Sequence, residues 1–286
     1  MRLATIEIGD AQRVIATTDG DVIRDVTAAA PRTGLAGLLP RDRRATLRRD
    51  LEQYPVIDIS GARWLPPVPR PDHIVCVGHN FASHAAEVGA TVNAQPTLFT
   101  RFPSSFVGHH DPLIRPQVSD SLDWEGELVV VIGDGGRHIN ADDAAAHIAG
   151  YSIMGENSVR EYQLHSTQAT AGKNFDASGS WGPWIVTADE IGDPTSLEIM
   201  TTVNGHRYQH GKVGDMHFNA AQIIDYVSTF TTLQPGDVLA LGTPPGIGHR
   251  QDPPRYLRDG DHLVIAIPGV MELTNTIQDE KQELPA

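Results

Sequence analysis

The chain has 286 residues, 40% of them hydrophobic, which is enough for one large core or for a small unit joined to a larger one. Its 22 Lys+Arg against 36 Asp+Glu give a formal charge of -14, so nucleic acid and anionic membrane are disfavoured as partners. A single cysteine, Cys76, excludes an internal disulfide framework and multi-cysteine metal sites; with no membrane-length apolar run and no secretion-signal pattern, the expected location is the cytoplasm.

In chain order, β-rich runs at residues 3–8 and 13–17, then the turn Asp19-Gly20-Asp21, predict a small hairpin unit. Residues 41–51 carry Leu47 and Leu51 four apart with arginines on the other face, which predicts a helix. Trp64-Leu65-Pro66-Pro67-Val68-Pro69-Arg70-Pro71 resists both helix and central strand. A domain boundary is placed there, between a small N-terminal unit (1–65) and a larger one (70–280). Strands are predicted at 73–77, 128–132, 184–186, 197–203, 238–241 and 262–267, and helices at 81–88, 141–149 and 219–230. Strands outnumber helices without regular alternation, so the fold class is α+β and β-rich, not a doubly wound parallel sheet.

Several segments carry chemistry. Glu125 and Glu127 precede the apolar run Leu128-Val129-Val130-Val131-Ile132; two apart in a strand, they share a face and suit a hard cation with oxygen ligands. A solvated acidic strand end has the same spacing. His84 and Glu87 stand three apart in a predicted helix, where the carboxylate can orient the imidazole as a water-activating dyad, although ordinary surface pairs look alike. Glu156 is a candidate third oxygen ligand and Arg160 a candidate carboxylate clamp; an isolated charged turn reads the same way. Lys173 can bring an ammonium to developing negative charge, or simply sit on the surface. The glycine-rich stretch after residues 238–241, with Thr243, can aim N–H groups and a hydroxyl at an anion, or form a tight turn.

The order and wording of these segments resemble the fumarylacetoacetate hydrolase family over roughly residues 70–280. The resemblance rests on Gly78-His79-Asn80-Phe81 with His84 and Glu87, Glu125-Gly126-Glu127-Leu128, Gly150-Tyr151 with Ser158 and Arg160, Lys173-Asn174-Phe175-Asp176 with Gly182-Pro183-Trp184, Val203-Asn204-Gly205 with Gln209, and Gly242-Thr243-Pro244 with Gly246. It implies a mixed β-sandwich roll with a small N-terminal β-rich domain, and a homodimer. It implies Glu125, Glu127 and Glu156 as ligands of Mg²⁺ or Mn²⁺, with Ca²⁺ also suited, and His84, Glu87 and Lys173 as catalytic groups, the dyad lying on a lid-like segment. It further implies Arg101, Arg160, Gln163 and Thr243 as substrate-binding. Three departures from the family pattern stand out: Glu156 replaces an Asp, Arg101 a Lys, and His79-Asn80-Phe81 a Leu-Asn-Tyr. The implied activity is hydrolysis of a carbon-carbon bond in a 1,3-diketone or 2,4-diketo acid of the acylpyruvate or fumarylpyruvate type, in aromatic catabolism. The alternatives are an oxaloacetate-type decarboxylase, a keto-enol isomerase or hydratase, and a non-catalytic binding protein.

Overall fold

The computed structural model describes residues 1–90 and 93–281. An eleven-stranded sheet runs in the order Arg24–Asp25, Ala11–Thr17, Arg2–Ile8, Gly179–Thr187, Ile148–Gly155, Gly126–Ile132, Val238–Ala240, Ile74–Gly78 and Thr97–Thr100, with Arg63–Trp64 also paired to Arg2–Ile8 and Phe106–Val107 to Gly179–Thr187. A five-stranded sheet orders His206–Lys212, Glu198–Val203, His262–Ile267, Met271–Asp279 and Leu113–Arg115. The expected α+β, strand-rich class is thus present.

Strand Gly126–Ile132 is buried along its whole length. Leu128, Val130 and Ile132 join a core with Ile199, Ile265 and Leu273 of the five-stranded sheet. Val129 and Val131 instead join Leu3, Leu35, Leu38 and Leu47. An unbroken apolar run is what such two-sided burial demands. The proline-rich residues 65–68 are buried as well, and the Thr5 hydroxyl donates to the Pro67 carbonyl at 2.6 Å. Arg2–Ile8 pairs antiparallel with both Ala11–Thr17 and Gly179–Thr187, so the N-terminal hairpin extends the large sheet.

Helix Arg41–Asp50 buries Leu47, as the leucine spacing predicts. Helix Ala220–Phe230 buries Ile223, Ile224 and Val227, and a capping box between Asn219 and Gln222 fixes its start. The helix expected over 141–149 is corrected. Only Ala144–His147 is helical, because Ile148 already begins a strand enclosed between Gly126–Ile132 and Gly179–Thr187. No helix among the described residues is long and apolar enough to cross a membrane.

Candidate active site

The acidic cluster follows from strand pairing. Glu125 and Glu127 flank Gly126 at the start of one strand, and Gly126 pairs with Gly155 at the end of its neighbour. Glu156 is thereby set beside Glu125, whose carbonyl accepts the Glu156 N–H at 2.8 Å. One carboxylate oxygen from each of Glu125, Glu127 and Glu156 lies within 4.8 Å of the others, and all three side chains are buried. Three converging oxygen donors at this separation fit the octahedral shell of a hard divalent cation.

Buried cations compensate the charge of the cluster. Buried Lys173 donates to Glu125 Oε2 at 3.0 Å, to the Glu156 carbonyl at 3.1 Å, and to the Glu156 carboxylate. Arg160 Nη1 lies 2.7 Å from Glu125 Oε1, and Ser158 donates to the same oxygen at 2.8 Å. Burial alone raises the pKa of Glu125, but the Lys173 and Arg160 cations outweigh it and hold the carboxyl well below the usual range. Glu127 goes the other way, pushed well up by burial and by the charges of Glu156 and Glu125. Burial also raises Glu156, against the opposing pull of Lys173 and Arg101. Carboxyls raised in this way couple cation binding to proton release.

A cavity of about 390 Å³ opens over the cluster, and His84, Arg160, Gln163, Lys173 and Thr243 share its wall. Helix Ala82–Val88 brings His84 into it, with Gly89 ending the helix in the left-handed conformation at φ 72°. His84 Nδ1 donates to Glu87 Oε2 at 2.9 Å, so Nε2 is left for the cavity. Arg160 also donates to Gln163 at 2.8 Å. Arg101 departs from its expected substrate contact. It donates through every guanidinium nitrogen, to Ser105, Glu156, the Asn157 carbonyl and Ser178, and stands behind Glu156 instead of facing the cavity. Its cation braces Glu156 from within the wall.

The chain matches the family model "Fumarylacetoacetate (FAA) hydrolase C-terminal" over residues 73–278. It belongs to the fumarylacetoacetate hydrolase family. It is 41% identical to human oxaloacetate tautomerase FAHD2A, mitochondrial, over 227 residues, which is 79% of this chain and 72% of that protein. Among solved structures, fumarylacetoacetate hydrolase from psychrophilic Exiguobacterium antarcticum superposes with a TM-score of 0.84 at 34% identity, covering 98% of this chain and all of that one. The maleylpyruvate hydrolase of Sphingobium sp. SYK-6, solved with manganese(II) and pyruvate, gives 0.81 at 26% identity, with the same coverage.

In this fumarylacetoacetate hydrolase family chain the glycine-rich loop serves the protein's own carboxylates, which its local sequence does not reveal. Gly242 N donates to Glu127 Oε2 at 2.7 Å and Gly246 N to Glu87 Oε1 at 2.8 Å. Gly248 N and His249 N donate to Asp123 at 2.7 and 3.0 Å. One strap thus holds a member of the acidic cluster, the dyad carboxylate and a third acid. The Thr243 hydroxyl donates to the Gly126 carbonyl at 3.0 Å and accepts from Gln209 at 2.8 Å, so it stiffens the cavity wall.

Asp123 is the residue that sequence reasoning passed over. Fully buried, it also accepts Arg160 Nε at 2.7 Å and so aims the guanidinium at Glu125. Its only sequence signal is its place two residues before Glu125. The strap also explains a glycine: at Gly246, φ is 104° and an added Cβ would lie 1.9 Å from the Tyr208 carbonyl oxygen. Gly246→Ala is therefore expected to cost about 3 kcal/mol or more in a urea melt, through backbone clash and strain together. A loss under about 0.5 kcal/mol, the usual size of a neutral surface change, would show that the strap gives way freely.

Proposed function

We propose that the protein is a divalent-metal-dependent enzyme that interconverts the keto and enol forms of a 2-oxo acid of the oxaloacetate type. The observation that carries this reading is the convergence on one cavity of a three-carboxylate cluster and an oriented His84–Glu87 pair. Glu125, Glu127 and Glu156 would hold Mg²⁺ or Mn²⁺, which supplies the positive charge that polarises a 2-oxo group and acidifies the adjacent C–H. His84 Nε2 takes the proton as that C–H bond breaks; the released electron pair forms the C=C bond and the carbonyl π pair moves onto oxygen. The same imidazole then returns the proton to that oxygen, giving the enol. Glu87 keeps the proton on Nδ1 throughout, and Lys173 adds fixed positive charge beside the reacting oxygens.

The curated similarity supports tautomerisation as the first reading, since the human relative at 41% identity carries that name. A second reading, hydrolysis of the carbon-carbon bond of an acylpyruvate, draws on the likeness to a maleylpyruvate hydrolase. There His84 would deprotonate a water that attacks the distal carbonyl. A homodimer at work in the cytoplasm completes the proposal.

Ultraviolet assay of oxaloacetate keto-enol exchange, beside a panel of acylpyruvates, tests both. Chelation is expected to abolish turnover, and Mg²⁺ or Mn²⁺ to restore it and raise the Tm, because an ion bound only by the folded state stabilises that state. Full turnover in metal-free protein sinks either reading. Acylpyruvate cleavage without oxaloacetate exchange selects the second.

A further inference from the structure

We propose that His79 is a specificity-determining residue that recognises the distal carboxylate of a short 2-oxo dicarboxylate. The proposal rests on the oxo-acid reading above and adds the means by which one such acid is chosen over another.

His79 has φ 58°, in the left-handed region that costs a non-glycine residue strain. The surroundings enforce this conformation. The neighbouring Asn80 side chain donates to the Phe218 and Leu241 carbonyls at 2.9 and 2.7 Å and accepts the Phe218 N–H at 2.8 Å, while its carbonyl accepts the His217 N–H at 2.7 Å. A backbone pinned in a glycine-like conformation carries an imidazole instead, and that imidazole lines the cavity. Its ring is half-buried, 6.3 Å from the His84 ring centre, and makes no hydrogen bond among the described residues. The mechanism gives it no task.

Charge determines what it can meet. A 2-oxo dicarboxylate that places its oxo-acid end at the acidic cluster must keep its second carboxylate away from Glu125, Glu127 and Glu156. Lys173 and Arg160 are already committed to the cluster and to Asp123. Apart from the base His84, the remaining ionisable donors on the cavity wall are His79, His249 and Arg250, while Gln163, Thr97 and Thr167 offer neutral ones. His249 Nδ1 is engaged by the Tyr256 hydroxyl at 2.8 Å, which leaves its Nε2, and Arg250 spends one Nη2 bond on the Val88 carbonyl at 2.8 Å. Arg250 is exposed, and of the two half-buried imidazoles His79 is the one with both ring nitrogens unspent.

Calorimetric titration of the Mg²⁺-loaded protein with malate and with lactate isolates the contribution, since these non-reacting 2-hydroxy acids differ by the distal carboxylate. Wild type is expected to bind malate at least about tenfold more tightly, the size of one hydrogen bond to a charged group. His79→Gly, which suits the left-handed backbone, should lower malate affinity about tenfold and leave the lactate and Mg²⁺ constants in place. His79→Gln, which keeps a donor, should restore part of the loss. Equal weakening of both acids, loss of Mg²⁺ affinity or no change at all in the glycine variant overturns the proposal. The two readings fail separately. Malate preference without oxaloacetate turnover removes the tautomerase assignment and keeps the role of His79, whereas turnover without malate preference does the reverse.

Discussion

Alanine in place of His84 is expected to lower turnover about 10²- to 10⁴-fold, the usual contribution of a general base, while Mg²⁺ affinity stays near wild type. The separation follows from geometry. His84 hydrogen-bonds Glu87, and Glu87 is held by Gly246, whereas the carboxylate cluster is held by Lys173, Arg160 and Gly242. No hydrogen bond in the first set passes to a cluster carboxylate, so deleting the imidazole leaves the cation site standing. Glu87→Gln should be milder, because the amide can still accept from Nδ1 but carries no charge to stabilise the imidazolium. Steady-state kinetics beside calorimetry with Mn²⁺ decide the matter. Wild-type turnover in His84→Ala would remove the dyad from the chemistry, and a parallel fall in metal affinity would make His84 a structural support of the cluster.

What could be read from the sequence was local. Period-two spacing put Glu125 and Glu127 together, and their carboxylates do converge although the strand itself begins at Gly126; the unbroken apolar run behind them announced burial on both faces. Leucine spacing found helix Arg41–Asp50, and the isoleucine and valine stripe found helix Ala220–Phe230. Polar edge strands escaped notice: His206–Lys212 buries only Gln209, so its pattern carries no apolar alternation. Alanines at 141–149 overstated a helix because pairing on both sides captured Ile148 for the sheet.

The site shows the same division more sharply. Glu156 is 29 positions beyond Glu127, and only the Gly126 to Gly155 register brings it to the others; Lys173 is further still and arrives from the separate helix Thr170–Lys173. Composition could not say that the glycine-rich loop spends its N–H groups on Glu127, Glu87 and Asp123, because those acids arrive from two distant segments. The place of Arg101 outside the cavity lining was hidden for a related reason. Its likeness to a family lysine says nothing about the four groups that absorb its donors inside the wall. Long-range hydrogen bonds to backbone carbonyls and serine hydroxyls leave no periodic mark.

Lys173→Met should make the protein less stable without metal and tighter for it. The ammonium sits between Glu125 and Glu156, in contact with both carboxylates, while fully buried. Removing it leaves two buried carboxylates with one cation each, Arg160 for Glu125 and Arg101 for Glu156. Losing one partner of a buried pair costs about 3–5 kcal/mol when nothing replaces it. With those guanidiniums in place, the metal-free protein should lose roughly half that. A divalent cation faces the opposite sign: Lys173 competes for the same oxygens and repels a second positive charge, so its removal should raise Mg²⁺ affinity about tenfold or more. Turnover should nevertheless fall about 10²-fold, since the fixed charge beside the reacting oxygens is gone. Thermal melts with and without Mg²⁺, calorimetry and kinetics on one preparation separate the three effects. If Mg²⁺ affinity falls instead, Lys173 is needed to gather Glu125 and Glu156 into a binding arrangement, and the view of it as a competing charge is wrong.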